Sequence, residues 1–230
     1  MNITQFTGFC YNDIAAQMGF VRYKNGYYLI RDRAIAVFAL EKCNGGREVR
    51  PLMKILPLCG KIYAGTDNWM MDQPESSFWR HISGRYCDLN FSMQTPIEKC
   101  EKIKEYLLDV FHETEEPFLS RVKDLETGLE AYCAFYDYYW EGTPGPKNSF
   151  NSDMNYWGFL LALKEYGKAL DNFNLYADYI YESEHSLLKE NSLQGKLQRL
   201  LMAQEYDKID TVVEELEAKN LELLKTCKLI

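Results

Sequence analysis

Leu160-Leu161-Ala162-Leu163-Lys164-Glu165-Tyr166-Gly167-Lys168 is matched forty residues later by Leu200-Leu201-Met202-Ala203-Gln204-Glu205-Tyr206-Asp207-Lys208, with both leucines, the Glu-Tyr pair and the final lysine identical. A repeat of that period suits a stack of helical hairpins, in which each unit is too small to bury its apolar face alone. The surrounding sequence agrees. Beyond residue 150 the pattern is helical throughout, with helices expected at about 153–165, 168–188, 192–204 and 206–226. Two copies fall short of the roughly three that such stacks need for stability, so these helices are expected to lean on the rest of the chain.

Upstream, Gly142-Thr143-Pro144-Gly145-Pro146 interrupts any helix. It divides an α+β unit at 1–141 from a helical-hairpin array at 150–230. In the first unit Ile3, Phe6, Cys10, Ile14 and Met18 mark one face of a helix over 2–18, which Gly19 ends. An antiparallel sheet is expected within 20–93. It opens with a hairpin, Val21 to Lys24 and Tyr27 to Ile30, about a type I′ turn at Asn25-Gly26. An apolar strand follows from Ala34 to Glu41, then a turn at Asn44-Gly45-Gly46. The next strand, Glu48 to Leu58, is marked as an edge by Pro51 and Pro57. Residues 60–84 read as loops, and Tyr86 to Met93 alternates as a half-buried strand. Thr95-Pro96-Ile97-Glu98 is a capping box that starts a helix over 96–112. Its core stripe is Ile97, Cys100, Ile103, Leu107, Val110 and Phe111. A further helix over 117–140 is expected to break near Gly128.

The composition bounds the function. The 230 residues are 47% hydrophobic and carry a net charge of -8, a poor balance for sequence-independent nucleic-acid binding, which needs clustered cations. The charge is uneven: residues 21–61 hold nine Lys or Arg against three acids. Seven cysteines at irregular spacing, with no Cys-x-x-Cys pair, indicate neither a disulfide framework nor a zinc site. They read as buried thiols in a reducing compartment. The N-terminus has no secretory-signal pattern, and the longest clean apolar run, Ala34 to Leu40, is too short to span a bilayer. The expectation is a cytoplasmic protein without membrane partner, cofactor or metal; nothing in the sequence fixes an oligomeric state.

Each candidate constellation has a plain structural alternative. His112-Glu113-Thr114-Glu115-Glu116 opens like a zincin helix, but Glu116 stands where the second histidine is required. Trp79, Arg80, His81 and Arg85 are the densest mixture of functional side chains and fall in and beside a loop. They could hold an anion with His81 as proton carrier; alternatively Trp79 plugs the sheet and the arginines pair with acids of the helical half. Cys87 falls on the apolar face of its strand, a poor place for a nucleophile. The basic hairpin 21–33, with Tyr23, Tyr27 and Tyr28, has the cations and rings of a single-strand nucleic-acid platform. It equally suits an edge hairpin, or a basic sheet docked beside acidic helices. Tyr156, Tyr166, Phe173, Tyr176, Tyr179 and Tyr181 lie at helical spacing and suit inter-helix packing, with Tyr156 and Tyr176 the candidates for lining a partner groove.

Leu163-Lys164-Glu165-Tyr166-Gly167-Lys168-Ala169-Leu170 resembles the Leu-Gly-Asp-Tyr-Glu-Lys-Ala-Leu turn between the helices of a tetratricopeptide repeat, and Ala203 to Ile209 resembles a degenerate second copy. The resemblance covers about seventy residues. It implies a tyrosine packed at each turn and an alanine permitting close helix approach. Lys164 and Gln204 stand where that family has its turn glycine, and the period is forty instead of thirty-four. The first half resembles an uncharacterised family of bacterial α+β domains through Gly19-Phe20, Tyr27-Tyr28 and Pro117-Phe118-Leu119; the resemblance implies the fold, and that family has no established activity to carry over.

The function that follows is a non-enzymatic adaptor or regulatory protein that binds a protein or peptide through the helical array, with an immunity-type protein as one variant. The alternatives are an enzyme acting on an anionic small molecule at Arg80, His81 and Arg85, and nucleic-acid binding by the hairpin 21–33.

Overall fold

The computed structural model of the chain describes residues 1–43, 48–60, 96–140, 154–181 and 193–230. Its first element, α1 (Ile3–Ile14), is started by a reciprocal capping box. The Asn2 side chain accepts from the Gln5 amide, and the Gln5 side chain accepts from the Asn2 amide. Phe6, Cys10 and Ile14 are buried as the spacing predicts. The helix ends earlier than expected, because Ala16–Met18 tightens into a 3-10 turn before Gly19 takes a left-handed φ of 79°.

Four strands then form an antiparallel meander in sequence order: β1 (Val21–Tyr23), β2 (Gly26–Arg31), β3 (Ala34–Cys43) and β4 (Glu48–Pro57). The first hairpin is correct in place and shifted in register. Tyr23 pairs with Gly26, so the loop is Lys24-Asn25, and the positive φ falls on Lys24 at 50°. Gly26 is required for space instead, since a Cβ there would lie 2.9 Å from the Tyr28 ring. Asn25 ties the loop to β3 through its side chain and its carbonyl, both bonded to Leu40. β4, with its two prolines, is one of the two outer strands of the described sheet. The expected turn at Asn44-Gly45-Gly46, the loops at 61–84, and the strand Tyr86 to Met93 lie outside the described residues, as does the punctuation at 142–149.

Both faces of this sheet are covered, which is why β2 and β3 read as near-continuous apolar runs instead of alternating with polar residues. One face presents Tyr27, Leu29, Ala36, Phe38, Met53 and Ile55 to α1, to α2 (Ile97–Val110) and to α4 (Leu125–Trp140). Phe38 meets Phe111 edge to face at 5.0 Å, and the Tyr27 hydroxyl donates to the Thr7 carbonyl at 2.7 Å. The other face presents Tyr28, Ile35, Val37 and Leu56 to Leu224, Cys227 and Leu229 at the C-terminal end of the chain. In α2, Cys100, Ile103 and Leu107 are buried as expected, as is Phe111 just beyond its end. Ile97, the first helical residue, is 50% exposed, and Pro96 stands at the N-cap position with no side-chain cap.

A π-helical turn, Phe111–Glu115, leads into the short α3 (Glu116–Leu119). The break expected near Gly128 falls earlier, at residues 120–124. Asp124 and Thr127 cap the start of α4 there: the Asp124 carboxylate accepts from the Thr127 amide, and the Thr127 hydroxyl accepts from the Lys123 and Asp124 amides. Gly128 lies inside unbroken helix where α4 crosses close to Ala34 and Phe159.

The helical half comprises α5 (Met154–Ala162), α6 (Tyr166–Tyr181), α7 (Leu193–Met202) and α8 (Tyr206–Thr226). α5 is enclosed on all sides, with Trp157, Phe159, Leu160, Leu161 and Ala162 buried, the pattern of a helix with no solvent face. It runs against β4 so closely that a Cβ on Gly158 would sit 2.7 Å from the Pro57 ring. α8 packs on its neighbours through Ile209, Val212 and Val213 and reaches the sheet with its last turn. Between these contacts, Asn220 donates to the Leu58 carbonyl at 2.5 Å. Glu217 receives Arg33 through Nε and Nη2, both at 2.8 Å, and Arg33 Nη1 also donates to the Ala162 carbonyl.

Candidate functional site

The forty-residue repeat is reproduced as backbone geometry. α5 ends in a Schellman motif: Lys164 takes φ 62°, its amide donates to Leu161 O at 3.1 Å, and the Glu165 amide donates to Leu160 O at 2.8 Å. α7 ends identically: Gln204 takes φ 57°, and the Gln204 and Glu205 amides donate to Leu201 O at 3.1 Å and Leu200 O at 2.9 Å. Lys168–Glu165 and Lys208–Glu205 repeat the same i,i+3 ion pair after each turn. Ala169 and Ile209, equivalent across the repeat, are both fully buried.

The two turns stand side by side. Tyr166 stacks on Tyr206 with ring centroids 4.3 Å apart and planes 5° from parallel. The Tyr166 hydroxyl donates to the Asp210 carboxylate, which also receives Lys164 Nζ at 2.6 Å. Burial, and then the acceptor Asp210, push the Tyr166 phenol above its ordinary range. Burial also opposes ionisation of Asp210, but the Lys164 and Tyr166 hydrogen bonds outweigh it and hold its carboxyl below the usual carboxylate range. The two turns are thereby joined by side-chain contacts at one end of the array. At this end Met202 is 65% exposed and Tyr206 38% exposed, and the outer face of α7 adds exposed Lys196 and Arg199.

Trp79, Arg80, His81, Arg85 and Cys87 lie outside the described residues. Tyr176 falls in α6 at a position whose side chain is also outside them. Tyr156 is half-buried in the seam between α4 and α5, stacked on Tyr132 with centroids 6.2 Å apart, and burial raises its phenol. Trp157 and Phe173 pack beside it, and the Trp157 indole donates to Asn172 at 2.9 Å. The structure thus brings Tyr156 into packing and gathers Tyr166 with Tyr206 at the turns.

Other candidates resolve on contacts. His112 Nδ1 lies 2.5 Å from Glu116 Oε2, so the residue standing where a zincin has its second histidine pairs with the first. Among the described residues no three His, Cys, Asp or Glu side chains converge as a metal site would require. Burial pushes the thiols of Cys10 and Cys59 up to about 12 and that of Cys133 up to about 11, which keeps them protonated and unreactive near neutrality. Of the three rings of the hairpin 21–33, Tyr27 and Tyr28 are core residues on opposite sheet faces, and Tyr23 is half-buried against the second of these faces. Arg22 donates to the Thr4 carbonyl, and Arg33 is engaged with Glu217.

The sequence reading missed Met202, Lys196 and Arg199. Their signal was available, since spacing by three places them on one helix ridge opposite the buried Leu197 and Leu201. No family model, no curated protein and no solved structure matches the chain.

Proposed function

We propose that the chain is a non-enzymatic adaptor or regulatory protein, working in the cytoplasm, that binds another protein or a peptide at the turn end of its helical array. One observation carries the reading: the two repeat turns are locked together by the Tyr166–Tyr206 stack and Asp210, while Met202 and Tyr206 beside them remain open to solvent. Exposed thioether and tyrosine side chains on a rigid support are the groups that anchor interfaces. The seam of the array facing the sheet is filled by α5, which leaves the outer end as its accessible part. The free thiols at Cys10, Cys59, Cys100, Cys133 and Cys227 suit a reducing compartment. No helix among the described residues is long and apolar enough to cross a membrane.

The test is site-specific photo-crosslinking in the source cell, with the reactive group placed at position 202 in one variant and at position 97, which is also exposed, in a control. The reading expects one dominant stoichiometric adduct from 202 and none from 97. No adduct from 202, or the same adducts from both sites, contradicts it.

A further inference from the structure

The partner's chemistry can be read from the Tyr166–Tyr206 stack and the charges beside it. Tyr166 covers one face of the Tyr206 ring at 4.3 Å, with the planes 5° from parallel. The 38% exposure of Tyr206 therefore belongs to the ring's other face and its edge. An open π-face backed by a second ring attracts a cation, and a planar guanidinium stacks on it. The carboxylates nearby point the same way. α8, which begins at Tyr206, has six acids against three lysines. Asp210, Glu217 and Glu222 are engaged by Lys164, Arg33 and Lys225. Asp207 and Glu214 are exposed, and among the described residues neither carboxylate has an ion-pair or hydrogen-bond partner. Both lie within electrostatic reach of the turns, Asp207 of the Tyr166 phenol and Glu214 of the Lys164 ammonium. They are two helical turns apart, about 10 Å, with Asp210 between them on the same side of α8. The other cations at the turns, Lys168 and Lys208, are already paired with Glu165 and Glu205. What this end offers a ligand is an open aromatic face followed by negative charge.

We propose, resting on the adaptor reading above, that Tyr206, with Asp207 and Glu214, receives a basic segment of the partner protein. One arginine of that segment lies flat on the open face of Tyr206, and further cations meet the Asp207 and Glu214 carboxylates. The net charge of -8 steers such a segment toward the chain and repels acidic ones.

Display of random dodecapeptides against the intact chain tests this, followed by fluorescence anisotropy with the best synthetic peptide. The selected peptides should be enriched in Arg. Binding should weaken about tenfold or more in Tyr206→Leu and in the D207N/E214Q double variant. Tyr206→Phe keeps the ring and should bind as the wild-type chain does. The E98Q/E101Q variant removes the same charge from exposed positions on α2, and there binding should change by less than about twofold. Unchanged thermal midpoints establish that D207N/E214Q and E98Q/E101Q are folded, so the comparison of these two holds even if Tyr206→Leu loosens the turns. No selection, selection without basic bias, binding that D207N/E214Q leaves unchanged, or equal weakening in E98Q/E101Q would each overturn the proposal. If position 202 still crosslinks a cellular partner in that event, the adaptor reading stands and only the chemistry assigned to its ligand falls.

Discussion

Lys164, Gln204 and Lys228 hold φ angles of 62°, 57° and 56°, a region that costs a residue bearing a Cβ roughly 1 kcal/mol or more. The third of these closes α8 with the same pair of bonds, Lys228 N to Lys225 O and Leu229 N to Leu224 O, both at 2.9 Å. Glycine removes the strain but adds unfolded-state entropy. Gln204→Gly is therefore expected to stabilise the chain by about 0.5 kcal/mol, read as a higher urea midpoint with unchanged slope. A lower midpoint would show that the turn carries no strain at 204. The Lys164 side chain holds Asp210, so a glycine there would mix two effects. Asp210 itself gives a pH test. Its carboxyl is held below its ordinary value, so the stability it adds is complete above the unfolded pKa, near 4, and is lost as pH falls through the lower folded pKa. Asp210→Asn should cost about 1 kcal/mol at pH 7, and the gap to the wild-type chain should shrink at pH 3. A gap independent of pH would mean that Asp210 contributes through shape and not through charge.

At the scale of elements, the close approach of α5 to β4 explains why the first repeat unit is the more apolar of the two. Gly158→Ala would place a methyl 2.7 Å from the Pro57 ring, against a proline that cannot rotate away. The helix-propensity gain of about 1 kcal/mol should be exceeded by overpacking of about 1–3 kcal/mol. A net loss in denaturant stability is the expected result, and an unchanged or higher midpoint would show that α5 can slide from the strand. The four C-terminal helices were legible in the sequence because their apolar spacing is local. What their inner faces touch was not, because covering both faces of the sheet is a relation between residues nearly two hundred positions apart. The same limit explains the hairpin. Asn25-Gly26 is a strong turn signal, but the register is decided by which residues the sheet buries, and that puts the loop at Lys24-Asn25. The Asp124–Thr127 cap is legible as an Asp followed three residues later by a Thr, whereas Gly128 serves the close contact of α4 with Ala34 and Phe159. Of the candidate site, the Tyr166–Tyr206 correspondence was visible as a repeat. That the two rings would meet face to face required the relative placement of the hairpins.

Over the whole molecule, two repeat units are stabilised by borrowing a core. The sheet supplies one wall for α5 and another for the end of α8, and Arg33–Glu217 and Asn220–Leu58 join the halves between them. This is the intramolecular use of the basic sheet: its arginine meets an acidic helix, and its apolar faces are consumed in the core. A partner surface at the turn end is rigid only if that union holds. Native-state hydrogen exchange on the intact chain tests it most directly, by following peptides from β3 around Ile35 to Phe38 and from α8 around Ile209 to Leu224 across a urea series below the unfolding midpoint. The account predicts that the slowest amides of both segments open with the same free energy and the same urea dependence, because neither can lose its contacts without the other. Exchange of α8 through a separate, lower-energy opening while β3 remains protected would contradict it, and would make the helical array an appendage instead of part of one cooperative fold.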